Sequence, residues 1–256
     1  MEAVALSVIT VFSTAIGGVV ALTMKSHLTR LLAFGSGAIL GIALFDLLPE
    51  ALKQAESAGL PQRSLFLAVA AGFVLFHVLG RASLLGASHD HGGTGSHNDV
   101  HPLSAEERAI ARRQGTLAAM GFSIHSFLDG AAIGVGFHAG TTVGIAIAIA
   151  VIAHDAADGL NTVTVMLSHG HTTRRSMIWL AVDALAPVLG AIMTFLAPIG
   201  QAVLAPLLGG FVGFFLYIGA ADMLPDALRR DRGPWPTALL LGGIAFAYVV
   251  VSLLAL

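Results

Sequence analysis

Long apolar runs joined by short polar connectors fill the chain from end to end. A helix that crosses a bilayer needs about 20 predominantly apolar residues. Eight such runs can be cut, at about 2–24, 29–51, 62–85, 115–137, 141–167, 176–198, 201–224 and 236–256. Barrel strands would instead show about ten residues of strict alternation, so run length predicts helices. The 141–167 run is long enough to cross with a tilt. The pattern therefore predicts an all-α polytopic membrane protein of eight transmembrane helices in a single domain over 1–256. The one long hydrophilic stretch is 86–113, read as a flexible Gly/Ser-bearing linker whose acidic-basic end forms a short interfacial helix.

Composition sharpens this picture. The chain is 56% hydrophobic and 11% charged, with a mean hydropathy of +0.84, whereas soluble domains carry about 25% charged residues. A net charge of −2 offers no footing for nucleic acid, and the absence of cysteine removes disulfides and thiolate ligands. Glu2 stands where a signal peptide carries its basic region, so the first helix is expected to be retained. Alternate connectors hold Lys25, Arg30, Arg81, Arg108, Arg112, Arg113, Arg174, Arg175, Arg229, Arg230 and Arg232, while the opposite set holds only Lys53 and Arg63. The positive-inside rule then places the first set in the cytoplasm and both termini outside a cell (inner) membrane.

Chemistry is concentrated in the fourth and fifth spans. Two copies of a His-x-x-x-Asp-Gly motif, His125–Asp129–Gly130 and His154–Asp158–Gly159, stand inside apolar runs. An i, i+4 spacing puts imidazole and carboxylate on one helix face, and such groups are expensive at membrane depth unless something binds there. Ser126 and Asp155 directly follow the two histidines. Together these groups could ligate one or two first-row cations. Nitrogen and oxygen donors without sulfur suit Zn, Mn, Fe, Co or Ni over Cu(I). The competing reading is a pair of His–Asp hydrogen bonds that tie helices together. The glycines after each aspartate, with Gly134 and Gly136, are read as sites of close helix crossing or bending.

Internal symmetry supports a carrier. Residues 37–52 read GAILGIALFDLLPEAL and residues 213–228 read GFFLYIGAADMLPDAL, matching Asp46, Pro49 and Glu50 to Asp222, Pro225 and Asp226. The predicted topology inverts one copy relative to the other, and inverted repeats around a midplane site mark transporters. Asp46 and Asp222 are weaker candidates, for the entrance and exit of an ion path. Glu50 and Asp226 read as solvated helix-end charges. His27 and His77 read as interfacial or satisfied residues, Asn161 as an auxiliary ligand or interhelical partner, and Trp235 as an interface anchor. In the linker, His89, His91, His97 and His101 could hold metal weakly but fix no geometry.

With these motifs in view, the chain resembles the ZIP family of zinc/iron-regulated permeases, in its bacterial branch. That family's fourth-helix H-N-x-P-E-G and fifth-helix [HQ]-[DEN]-x-P-E-G are matched in part by His125-Ser-Phe-Leu-Asp129-Gly130 and His154-Asp155-Ala-Ala-Asp158-Gly159. Leu47-Leu-Pro49-Glu50-Ala51 and Asp222-Met-Leu-Pro225-Asp226 are similar to its second and seventh helices. The resemblance implies zinc as the favoured substrate, with Fe, Mn, Co, Ni and Cd also open. It implies a two-metal site built from His125, Ser126, Asp129, His154, Asp155 and Asp158, and a homodimer. It also implies movement of helices 1, 4, 5 and 6 against a dimerising scaffold. The departures are specific: aspartates replace both glutamates, Leu128 and Ala157 replace the motif prolines, and Ser126 replaces asparagine. Pro187 stands where a sixth-helix glutamate is often found. Asp183, one turn earlier, either substitutes for that ligand or caps and packs the helix.

The expected function is transport of a divalent transition metal, zinc foremost, into the cytoplasm by alternating access, not an enzymatic reaction. No Gly-rich loop ending in Lys-Ser/Thr is present for ATP. The membrane potential would supply about 2.3 kcal/mol per charge per 100 mV. Ligands must be deprotonated to bind, so uptake is expected to weaken below about pH 6. The alternative is an intramembrane zinc-dependent hydrolase, against which stand the missing H-E-x-x-H spacing and the inverted repeats.

Overall fold

Hydrocarbon offers a backbone amide no partner, so apolar chain in it closes its hydrogen bonds within helices. The computed structural model describes residues 2–85, 104–196 and 201–254, and among these it contains helices and no strand. The linker histidines His89, His91, His97 and His101 lie outside the described residues. Helix α1 is Glu2–Thr23, and a 3-10 turn, Lys25–His27, leads into α2, Leu28–Ile42. A π-helical turn, Ala43–Leu47, carries α2 directly into α3, Leu48–Ser57. Then come α4 (Gln62–Leu85), α5 (Ala105–Ala139), α6 (Thr141–Ser168) and α7 (Thr173–Leu196). Helix α8 (Gln201–Leu216) runs through a second π turn, Tyr217–Met223, into α9 (Leu224–Arg230), and α10 is Trp235–Leu254. Seven rods among the described residues are long and apolar enough to cross a membrane. Helix α6, at 28 residues, is a further long rod beside them.

Residues 105–113, expected in the linker and at most in a separate short helix, are instead the opening turns of α5. A capping box starts the helix there. The Ser104 hydroxyl accepts from the Glu107 backbone N–H at 3.1 Å, and the Glu107 carboxylate accepts from the Ser104 N–H at 2.7 Å. The polar turns project the helix beyond the apolar run, because hydropathy reports depth in lipid and not helix length.

The two D-x-L-P copies share one local distortion. Asp46 and Asp222 each sit inside a π turn, and Pro49 and Pro225 open the helix that follows. A proline ring clashes with the carbonyl four residues back and supplies no N–H. The wider turn just before each proline relieves both conflicts without breaking the rod. The rods are antiparallel: α2 lies against the second π turn and α9, whereas α3 lies against α8.

Helices α1, α5, α6 and α7 pack mainly on one another. The α2–α3 rod, α4, the α8–α9 rod and α10 form a second group, in which α2 pairs with α10 and α4 with α8. The seam runs chiefly along α2 and α6, filled by side chains including Leu32, Ile39, Phe122, Met166, Phe214 and Phe215. Glycines set the closest crossings inside the first group. A Cβ on Gly130 would overlap the Pro187 carbonyl of α7, and one on Gly159 the Thr14 carbonyl of α1. The glycines of the two motifs thus serve helix approach.

Candidate metal centre

Gly140 makes the site possible. It ends α5 and starts α6 at φ 150°, a backbone region that side-chain-bearing residues avoid, so the chain reverses on a single residue. His125 lies about 15 residues before it and His154 about 14 after, roughly 22 and 21 Å of helix. The two imidazoles therefore meet at one depth, stacked with ring centroids 6.0 Å apart.

Around them the i, i+4 carboxylates close in. Asp129 Oδ2 lies 3.2 Å from both His125 Nε2 and His154 Nε2, and Asp158 Oδ2 lies 3.8 Å from His154 Nε2. One ligating atom each from His125, Asp129, His154 and Asp158 can be chosen so that all lie within 4.8 Å of one another. All four residues are buried, His125 and Asp158 completely. Yet neither nitrogen of His125 and neither carboxylate oxygen of Asp158 has a hydrogen-bond partner. Buried polar atoms without partners cost about 1–3 kcal/mol each, and here they converge. Two imidazole nitrogens and two carboxylate oxygens make a four-donor set that suits a tetrahedral divalent cation. The His125 ring is held by the edge of Phe215 at 4.6 Å and by Phe211 at 5.7 Å.

Asp46 enters this constellation from the first π turn. Its Oδ2 lies 3.4 Å from His154 Nδ1, on the ring side opposite Asp129 and Asp158, and its side chain is 26% exposed. A carboxylate on one imidazole nitrogen can orient the other toward a metal.

The remaining expected ligands have other partners. Ser126 Oγ donates to Asp183 Oδ1 at 2.8 Å, and Thr162 Oγ1 donates to Asp183 Oδ2 at 2.7 Å. Asp183 thus ties α7 to α5 and α6. Asp155 is fully buried against α1, where Thr14 Oγ1 approaches its Oδ2 at 3.4 Å, and its Oδ1 is unpartnered. Asn161, also fully buried, makes no side-chain hydrogen bond. At the far end of α6, His169 Nε2 stands 3.6 Å from Asp222 Oδ2 of the second π turn. Burial opposes charge on His169, but contact with Asp222 and the nearby Asp226 outweigh it and raise its pKa above the usual histidine value. Asp226 is claimed by Arg230 at 2.9 Å. Sequence reading did not single out His169, Thr14 or Thr162. The buried small and hydroxyl stripe Ser7, Thr10, Thr14, Gly17, Gly18 and Ala21 in α1 was the available signal.

The family model described as ZIP Zinc transporter matches residues 85–255. The chain is 30% identical over 167 residues to zinc transporter YKE4 of Saccharomyces cerevisiae, a match covering 64% of this chain and 47% of that protein. It is 29% identical over 137 residues to human zinc transporter ZIP10, covering 53% and 16%. With zinc transporter ZIP4 of Rattus norvegicus identity is 26% over 159 residues, covering 61% and 24%. The chain thus spans less than half the length of these relatives.

Proposed function

This chain belongs to the ZIP zinc transporter family, and we propose that it carries a divalent transition metal, zinc foremost, into the cytoplasm with His125, Asp129, His154 and Asp158 as the ligands of the transported ion. One observation carries the reading: the buried, unpartnered atoms of His125 and Asp158 converge with Asp129 and His154 on one point. Four protein donors complete the coordination of a single ion. Asp155 and Asp183 act beside it as interhelical partners, and Ser126 acts through Asp183. Fe, Mn, Co, Ni and Cd share the donor preference to differing degrees and are competing substrates.

The chain crosses a cell (inner) membrane eight times with both termini outside, a topology supported by the charge bias of its connectors. Alternating access follows from the two helix groups. The α1, α5, α6, α7 group holds all four ligands and moves against the group of α2–α3, α4, α8–α9 and α10, which forms a homodimer. The two π turns face that seam and bend as it opens. Transport runs down the gradient and the membrane potential, without ATP. The hydrolase alternative is not favoured, since the matched family and relatives are named for zinc transport.

The test is zinc entry into reconstituted vesicles loaded with a zinc-sensitive dye. Asp129→Ala and His154→Ala are each expected to abolish entry while leaving membrane insertion intact. Wild-type uptake by both variants would refute the ligand assignment.

A further inference from the structure

Two histidines, one inside α6 and one at its C-cap, each face an aspartate from a π turn. His154 meets Asp46 of the first repeat, and His169 meets Asp222 of the second. The transport reading uses the first pair and leaves the second without a task. Resting on that reading, we propose that His169 and Asp222 form a second, weaker station for the transported divalent cation, between the central site and the end of the path.

The hydrogen bonding of His169 carries the inference. Its Nδ1 lies 2.8 Å from the Val165 carbonyl, an acceptor only, so Nδ1 holds the proton. Neutral His169 therefore presents a bare lone pair at Nε2, and a backbone carbonyl on the other ring nitrogen is the usual support of a metal-ligating histidine. That lone pair looks at Asp222 Oδ2 across 3.6 Å, too far for a hydrogen bond. A cation about 2.0–2.2 Å from each atom would bridge them at an angle of about 120°. Asp222 also lines a small cavity, about 20 Å³, between α4, α5 and the second π turn, with Tyr217, Gln114, Gly80 and Phe76. That space is enough for about one water ligand beside Asp222. Asp226 adds negative potential but is paired with Arg230, whose Nη2 also donates to the Ser168 carbonyl at 3.3 Å.

Ligand number sets the function of such a station. The central site offers four protein donors and this one two, so the ion is held loosely enough to leave. Passage requires each site to bind well enough to accept an ion and weakly enough to release it.

Zinc bound by the purified full chain is counted by equilibrium dialysis, in the unmodified protein and in a His125→Ala/Asp129→Ala variant that lacks the central site. Beyond any zinc held by the linker histidines, the double variant is expected to retain one weakly held zinc, and adding His169→Asn is expected to lower the count by that one. Asparagine can still donate to the Val165 carbonyl but lacks the ring nitrogen, so unchanged melting separates lost binding from lost folding. In dye-loaded vesicles, His169→Asn alone is expected to lower maximal uptake about 10-fold or more, with the half-saturating zinc concentration unchanged. A zinc count in the double variant that His169→Asn leaves unchanged overturns the second station. Absence of zinc entry with the unmodified chain overturns the transport reading instead, and the dialysis count still decides this one.

Discussion

At the scale of single residues, Asp183 shows how a carboxylate can sit beside a cluster of candidate metal ligands and still have another role. Both its oxygens accept from buried hydroxyls, Ser126 of α5 and Thr162 of α6. Replacing Asp183 by alanine strands both hydroxyls, at a cost of about 1–3 kcal/mol each, and is expected to lower the melting temperature. Asp183→Asn keeps a polar partner for each hydroxyl and is expected to leave zinc stoichiometry unchanged, measured by equilibrium dialysis. A loss of bound zinc in the asparagine variant would make Asp183 a ligand after all. Sequence could not separate these roles. The i, i+4 pairs were legible because helical period alone puts His125 with Asp129 and His154 with Asp158. Whether Ser126, Asp155 and Asp183 turn toward the ion or toward a neighbouring helix depends on which helix stands beside them. That neighbour, α1 with Thr10 and Thr14 or α6 with Thr162, lies far away along the chain.

At the scale of elements, the π turns are where local sequence and function meet. An ordinary α-helical turn through Ala43–Leu47 would rotate everything beyond it by about 100° per residue removed. Deleting the exposed Leu44 is expected to regularise the turn, swing Asp46 away from His154 and reduce zinc uptake while the rods remain helical by circular dichroism. The apolar pattern could place the rods, but not these turns, because hydropathy is blind to a single extra residue. It equally missed the polar start of α5, which Ser104 and Glu107 fix. That extension of α5 is docked by the turn after α6. His171 Nε2 meets the Arg112 carbonyl at 2.8 Å and the Thr116 hydroxyl at 3.2 Å. Burial lowers the His171 pKa, with the positive charges of Arg175 and Arg112 acting the same way. The unfolded chain therefore binds more protons than the folded one below its ordinary value of about 6.5. The turn is expected to lose stability as pH falls through that value, seen as a drop in melting temperature. His171→Gln should flatten the pH dependence.

At the scale of the whole molecule, the division into two helix groups makes a mechanical claim: the α2–α6 seam must slip during transport, while contacts inside a group need not. The chain contains no cysteine, so introduced pairs report cleanly. Across the seam, a Cβ on Gly35 of α2 would stand 3.4 Å from the Asn161 Cγ of α6, one bond from the Asn161 Cβ. Within the second group, a Cβ on Gly209 of α8 would stand 3.2 Å from that of Ala68 in α4. Oxidising a Gly35→Cys/Asn161→Cys pair is expected to stop zinc entry into vesicles, and reduction to restore it. The same treatment of Gly209→Cys/Ala68→Cys is expected to change little. The comparison is internal to each chain, oxidised against reduced, so loss of activity from the substitutions themselves does not enter. Transport that continues through an oxidised, fully cross-linked α2–α6 seam would mean that the groups move together and that the ion passes by some route other than their relative motion.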